Sequence, residues 1–248
     1  MNDIVVIPLG TVSPYCKGIH NCPGFLIKYK KYNILLDCGN GITRYLDFPN
    51  IFINLTVLIS HMHSDHYGDL DSINYSAYVY HNLGFISDKI NIYSPDINNC
   101  FNSINYSTYH SIENDMVIKI DDLNITFHDN KSHGIESYMI KLDNGKNRIV
   151  YTSDIGSTNL KDAIDFCENS DLLICESSLI RENNSKLKNH LHAFEAALLA
   201  KKSKSKQLML THFFPEIDKS KYLSEASEVF RNVLVAEENK EIKLERKF

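Results

Sequence analysis

The chain of 248 residues is 43% hydrophobic, enough to bury a sizeable core, and one domain spanning 1–248 is expected. A formal charge of −5 disfavours the broad electropositive surface that long nucleic acids require. No apolar run approaches the roughly 20 residues that cross a bilayer, and the opening MNDIVVIPLG lacks the basic start and cleavage site of a secretory signal, so a cytoplasmic protein without membrane contact is expected.

In chain order, DIVVIP, GFLIKY and NILLDCG are short apolar runs separated by Pro, Gly and Asn, the pattern of successive strands. LTVLISH reads as a buried strand ending in a histidine, and the stretch from Leu70 to His81 suits a helix. KINIYSP, MVIKI and LNITFHD continue the strands, and SYMIKLDNGKNRIVYTSD predicts a hairpin that bends at its Asn-Gly. Helix and strand then alternate: LKDAIDFCEN, DLLICES, AFEAALLAKK, KQLMLTH and a helix near Leu223 to Val235. The charged end, EENKEIKLERKF, predicts a final surface strand. A strand-rich half joined without a linker to an α/β half implies two sheets packed between helices.

The decisive segment is ISHMHSDHYGD, which places His61, His63, Asp65 and His66 within six positions directly after an apolar strand. Imidazole and carboxylate suit zinc and similar divalent ions, and four such groups from one loop supply parts of two adjacent sites. Two ions about 3.5–4 Å apart would then share a water-derived nucleophile. The six cysteines, Cys16, Cys22, Cys38, Cys100, Cys167 and Cys175, lack C-x-x-C pairing and read as reduced thiols. Cys16, His20 and Cys22 lack a fourth ligand and the usual metal spacing, so an incidental loop is the preferred reading there. His81, His110 and His128, like His20, carry no partner pattern and are read as structural.

His-x-His-x-Asp-His resembles the signature of the metallo-β-lactamase superfamily. The resemblance implies an α/β fold of the αββα sandwich type, with two mixed sheets between helices. It also implies further ligands in KSHGIESY, VYTSDIG and LMLTHFF: His133, Asp154 and His212. By that pattern His61, His63 and His133 would hold one ion, Asp65, His66 and His212 the other, and Asp154 would bridge them. Zinc is the first expectation for both ions and manganese the second. Asp37 stands where the family braces its metal loop with an aspartate.

LGTVSP, LLICESS and NHLHAFEAALLAKK look like the short-form ribonuclease Z branch. There a Glu and a His act together on the leaving oxygen, which implies catalytic roles for Glu176 and His190 beside Asp65, with His192 a rival two positions along. His133 and Asp154 are 21 positions apart, and the hairpin consumes that interval, leaving no room for the basic arm with which ribonuclease Z grips tRNA. The KKSKSK run at 201–206 follows an alanine-rich helix, where cations favour the helix C-terminus. An armless, mildly acidic relative resembles the phage anti-Pycsar nucleases. That resemblance implies hydrolysis of 3′,5′-cyclic mononucleotides to 5′-monophosphates in the bacterial or host cytoplasm, and relatives imply a homodimer. A ribonuclease acting on RNA or tRNA 3′ ends, a lactone or thioester hydrolase and a metal-stabilised binding protein are the rival readings.

Overall fold

The computed structural model describes residues 4–95, 106–183, 185 and 187–244. Two compact units emerge, one reaching to Ile112 and resuming at Glu238, the other spanning Glu113–Glu237, and each is built on one seven-stranded sheet.

The first unit contains β1 (Ile4–Gly10), β2 (Gly24–Tyr29), β3 (Tyr32–Leu36), β4 (Leu55–Leu58), α1 (Ser64–Tyr67), α2 (Leu70–Asn82), β5 (Ile90–Ser94) and β6 (Ser107–Ser111). The second contains β7 (Val117–Ile120), β8 (Leu123–Asp129), β9 (Tyr138–Asp143), β10 (Arg148–Tyr151), α3 (Leu160–Phe166), β11 (Leu172–Glu176), α4 (Ala193–Lys202), β12 (Leu208–Thr211), α5 (Lys219–Ser227) and β13 (Val233–Val235). The last strand, β14 (Ile242–Leu244), returns to the first unit and pairs antiparallel with β1, as the charged C-terminal segment predicts.

Both sheets follow one plan. In the first, the order is β14-β1-β2-β3-β4-β5-β6; the pairs up to β2–β3 are antiparallel and those from β3–β4 onward parallel. In the second, β7 to β10 form an antiparallel meander, and β10 to β13 are parallel. Antiparallel neighbours need tight turns, whereas parallel neighbours need crossovers, and α3, α4 and α5 supply these in the second unit. The inner parallel strands Leu55–Leu58, Leu172–Glu176 and Leu208–Thr211 are accordingly buried throughout. The Asn-Gly hairpin forms between β9 and β10, with Gly145 at φ 78.

One expectation needs correcting. The helix near Leu223 to Val235 begins earlier and ends sooner, as α5, because Asp218 caps it by accepting from the Ser220 backbone N–H at 2.8 Å. Val233–Val235 instead pairs in parallel with β12, where β-branched residues fit a strand. The polar Ser107–Ser111 segment, for which local periodicity gives no strand signal, completes the edge of the first sheet by pairing in parallel with β5.

Candidate metal centre

In open α/β sheets the loops at the carboxyl ends of parallel strands carry the ligands, because crossovers leave those ends free. Here Asp37 follows β3, His61 follows β4, Asp154 follows β10, Glu176 ends β11 and His212 follows β12. Three residues at these ends hold left-handed backbone, Asp37 at φ 56, Ser153 at φ 53 and His212 at φ 63. Such non-glycine conformations cost roughly 1–3 kcal/mol and persist where surrounding bonds impose them.

Within the first unit, the loop and α1 gather His61, His63, Asp65 and His66. His61 Nε2 lies 3.1 Å from His63 Nδ1, and His66 Nε2 lies 3.8 Å from Asp65 Oδ2. The fully buried Asp37 carboxylate braces this group. It accepts from the Ser60 backbone N–H at 2.7 Å and the Ser60 hydroxyl at 2.8 Å, and it pairs with His66 Nδ1 at 2.7 Å. Because the Ser60 hydrogen is given to Asp37, its oxygen accepts from His61 Nδ1 at 3.1 Å. Ser13 donates to Asp65 Oδ2 at 2.7 Å.

Within the second unit, Asp154 offers one oxygen to each of two histidines: Oδ1 lies 2.9 Å from His212 Nε2 and Oδ2 lies 3.5 Å from His133 Nε2. The far nitrogens are again occupied, His133 Nδ1 donating to the Asn189 carbonyl at 3.0 Å and His212 Nδ1 meeting the Ser178 hydroxyl at 2.7 Å. Asn130 donates to the Asp154 carbonyl at 2.7 Å.

The donor set fits a cation. His61, His66, His133 and His212 each have an oxygen behind Nδ1, the partner that holds a proton there and turns Nε2 toward a cation. His212 Nε2 faces Asp154 Oδ1 at 2.9 Å, a nitrogen and a carboxylate oxygen that share either a proton or a metal ion between them. Asp154, His190 and His212 also form a group whose candidate ligand atoms all lie within 4.8 Å of one another.

Glu176 is buried and accepts from the Ile155 backbone N–H at 3.0 Å and the Ser178 hydroxyl at 2.7 Å, while its Oε1 pairs with His190 Nδ1 at 3.0 Å. Burial lowers the His190 pKa, but the Glu176 carboxylate, through charge and hydrogen bond, and then Asp154 outweigh it, so the net shift is upward. The rival His192 is turned away: its backbone N–H and ring Nδ1 both lie 2.9 Å from Glu195 Oε2 at the start of α4.

Residues outside this set behave structurally. His110 stacks on Tyr93, His128 stacks on Phe166 and pairs with Asp115, and His81 bonds the Ile86 carbonyl. Cys16 and Cys22 bring their sulfurs to 3.7 Å, while His20 lies 3.5 Å from Glu238. Cys100 lies outside the described residues. In the KKSKSK run Lys204 pairs with Glu168 and Lys206 with Asp171. Sequence reasoning missed Ser13, Ser60, Asn130 and Ser178. Three of them stand inside the quoted segments LGTVSP, ISHMHSDHYGD and LLICESS, but a serine's partners cannot be read from its neighbours in sequence.

The family described as beta-lactamase superfamily domain matches residues 32–213. The probable metallo-hydrolase YhfI of Bacillus subtilis is 26% identical over 194 residues, 76% of this chain and 78% of its own. The ribonuclease Z of Protochlamydia amoebophila is 26% identical over 287 aligned positions, covering 92% of each chain. The crystal structure of the metallo-β-lactamase fold protein YhfI from Bacillus subtilis matches with a TM-score of 0.88 at 23% identity, covering 98% of this chain and 100% of that one.

Proposed function

The chain belongs to the beta-lactamase superfamily, has the metallo-β-lactamase α/β fold of two mixed sheets with helices and is a metal-dependent hydrolase, and on that footing we propose that it hydrolyses 3′,5′-cyclic mononucleotides to 5′-monophosphates. The proposal takes 1–248 as one functional domain in which His61, His63 and His133 hold one divalent ion, Asp65, His66 and His212 a second, and Asp154 lies on both. Zinc is the first candidate, from the nitrogen-rich ligand set. When bound, such ions supply Lewis acidity toward phosphoryl oxygens and a nucleophilic water at neutral pH.

The chain's own residues do the rest. Asp65, held by the Ser13 hydroxyl at 2.7 Å, orients the attacking water toward phosphorus. His190 keeps Nδ1 on Glu176, so its Nε2 is the end that can hand a proton to the departing 3′-oxygen. The Glu176 carboxylate beside Nδ1 favours the protonated form that this step needs. The water oxygen adds to phosphorus after giving one proton to solvent, the bond from phosphorus to the 3′-oxygen breaks, the proton from His190 completes the hydroxyl, and His190 regains a proton from solvent.

The observation that carries the substrate class is the β9–β10 hairpin. Its two paired strands and four-residue turn take up 14 of the 20 residues between His133 and Asp154, leaving no inserted arm for a folded RNA. The net charge of −5 also weakens attraction to a long polyanion, whereas one phosphate can be held at the centre itself. A second reading, a ribonuclease Z-like endonuclease, is favoured by the 92% coverage of the Protochlamydia relative. Yet that alignment, at 287 positions, is longer than this chain of 248, so the relative carries residues that this chain lacks.

Chromatography of products from each of four cyclic mononucleotides, a cyclic dinucleotide, a precursor tRNA and a lactone separates the readings. Conversion of a cyclic mononucleotide to its 5′-monophosphate is expected. Accurate trimming of the tRNA with untouched cyclic nucleotides overturns the proposal in favour of the second reading, and lactone opening alone overturns both.

A further inference from the structure

Ser178 lies two residues beyond Glu176, and its hydroxyl oxygen reaches three functional groups. It is 2.7 Å from Glu176 Oε2, 2.7 Å from His212 Nδ1 and 3.3 Å from His190 Nδ1. We infer that Ser178 is a positioning residue that ties the metal ligand His212 to the Glu176–His190 pair, so that the orientation of the ligand and that of the proton donor are set by one hydroxyl. The inference rests on the metal-centre reading above.

The backbone explains why this serine, and not its neighbour, takes the position. Ser177 N–H donates to the Thr211 carbonyl at 2.9 Å, and Leu179 N–H donates to the Leu191 carbonyl at 3.1 Å. Residue 178 is thus held between the residues that precede His212 and follow His190. Its own backbone is pinned at both ends, the N–H on Glu176 Oε2 at 3.2 Å and the carbonyl under the Tyr222 hydroxyl at 3.3 Å. Ser177 spends its hydroxyl on the Thr211 carbonyl at 3.1 Å and points away from the group.

Hydroxyl chemistry then assigns directions. A serine has one hydrogen to give and two lone pairs to accept with. A carboxylate can accept but not donate, so the hydrogen goes to Glu176 Oε2. The oxygen must therefore accept from His212 Nδ1–H, which turns His212 Nε2 toward Asp154. The other Glu176 oxygen remains for His190 Nδ1. Removing the hydroxyl leaves a buried ring N–H without its acceptor and takes one of the two bonds from Glu176 Oε2, so the carboxylate that holds His190 is less firmly oriented. Partners of this kind behind a ligand are typically worth about 10–100-fold in metal affinity.

The test compares full-length wild type with Ser178→Ala, Ser178→Thr and Ser178→Cys. Zinc affinity is measured by competition with a chromophoric chelator, and turnover is measured on a 3′,5′-cyclic mononucleotide and on bis(4-nitrophenyl) phosphate. Nitrophenolate departs without a proton, whereas a ribose oxygen needs one, so a residue acting through Glu176 and His190 matters more for the second leaving group. Ser178→Ala is expected to bind zinc about 10–100-fold more weakly. It should also lose at least about tenfold more turnover on the cyclic nucleotide than on the nitrophenyl ester, with Ser178→Thr restoring both. Wild-type zinc affinity in the alanine variant, equal losses on the two esters, or failure of threonine to restore them overturns the inference. If the alanine variant does not fold, Ser178→Cys carries the same comparison, and wild-type behaviour in it is the overturning result. A wild type that binds zinc but ignores cyclic nucleotides overturns the substrate reading, and the affinity comparison still decides the role of Ser178. A wild type that binds no metal overturns the metal-centre reading and this inference together.

Discussion

Asp37 concentrates the local chemistry of the first unit. A buried carboxylate is expensive to desolvate, and three bonds, from the Ser60 backbone, the Ser60 hydroxyl and His66, offset that cost. Asp37→Ala leaves the His66 ring N–H and the Ser60 groups without acceptors. We expect zinc affinity to fall about 10–100-fold and thermal stability to drop, whereas His128→Ala, a partly buried ring stacked on Phe166, leaves affinity unchanged. Isothermal titration with zinc checks both, and equal affinity in the two variants removes Asp37 from the centre. The two histidines of the NHLH segment separate similarly. His190→Ala should lower turnover by about 10²–10⁴-fold with the fold intact. His192→Ala, which loses a ring contact to Glu195 at the start of α4, should cost about 1 kcal/mol of stability and leave turnover near wild type. Denaturant titration and steady-state rates on the same preparations decide the assignment.

Turns and strand ends hold the loops in place by close approach. At Gly39, just past β3, a Cβ would lie 2.0 Å from the Asp65 carbonyl and 2.8 Å from Cys22, so the chain after β3 can pass under the metal loop only without a side chain. Gly156, past β10, meets the Lys188 carbonyl at 2.3 Å and the Ser132 carbonyl at 2.6 Å by the same measure. Gly39→Ala is expected to lower the melting temperature by several degrees and to reduce bound metal per folded chain. Normal metal content measured by plasma emission on a folded Gly39→Ala sample would show that the contact is not needed. The α5–β13 segment teaches the complementary lesson. Leu223 to Val235 holds enough apolar residues for a helix, yet pairing of Val233–Val235 with β12 takes its last part into the sheet. Sheet pairing adds hydrogen bonds between distant segments, which a local periodicity cannot register.

For the whole chain, metal stoichiometry is the first observable. The proposed ligands complete two sites, so two divalent ions per folded chain are expected, and chelation should lower the melting temperature because metal binds the folded state alone. An active, fully folded preparation with one ion or none contradicts the two-ion proposal. Thiol protection is the second. Burial pushes the Cys38 and Cys175 thiols well above their usual range and Cys167 up to about 12, and Cys22 is raised by burial and then by Cys16. Iodoacetamide at neutral pH should therefore label the exposed Cys16 and spare Cys22, Cys38, Cys167 and Cys175 until the chain unfolds. Peptide mass spectrometry before and after denaturation reads this directly, and rapid native labelling of Cys38 or Cys175 contradicts the packing.

The strands, the helix AFEAALLAKK and the dense loop from His61 to His66 were legible in the amino-acid sequence, because periodicity and clustered ligand types are local signals. His133, Asp154 and His212 were reachable through a resemblance, since nothing beside a lone histidine in the chain marks it as a ligand. What remained for three dimensions was the direction of each polar group. Ser60 and Ser178 orient rings, Ser13 holds Asp65, and His190 rather than His192 faces Glu176. Those assignments depend on hydrogen bonds between residues that are distant along the chain, such as Asp37 with His66 and Ser178 with His212. Local sequence sets which elements form, but the angle at which a side chain meets a partner from another strand end exists only once each sheet has brought its own strand ends together.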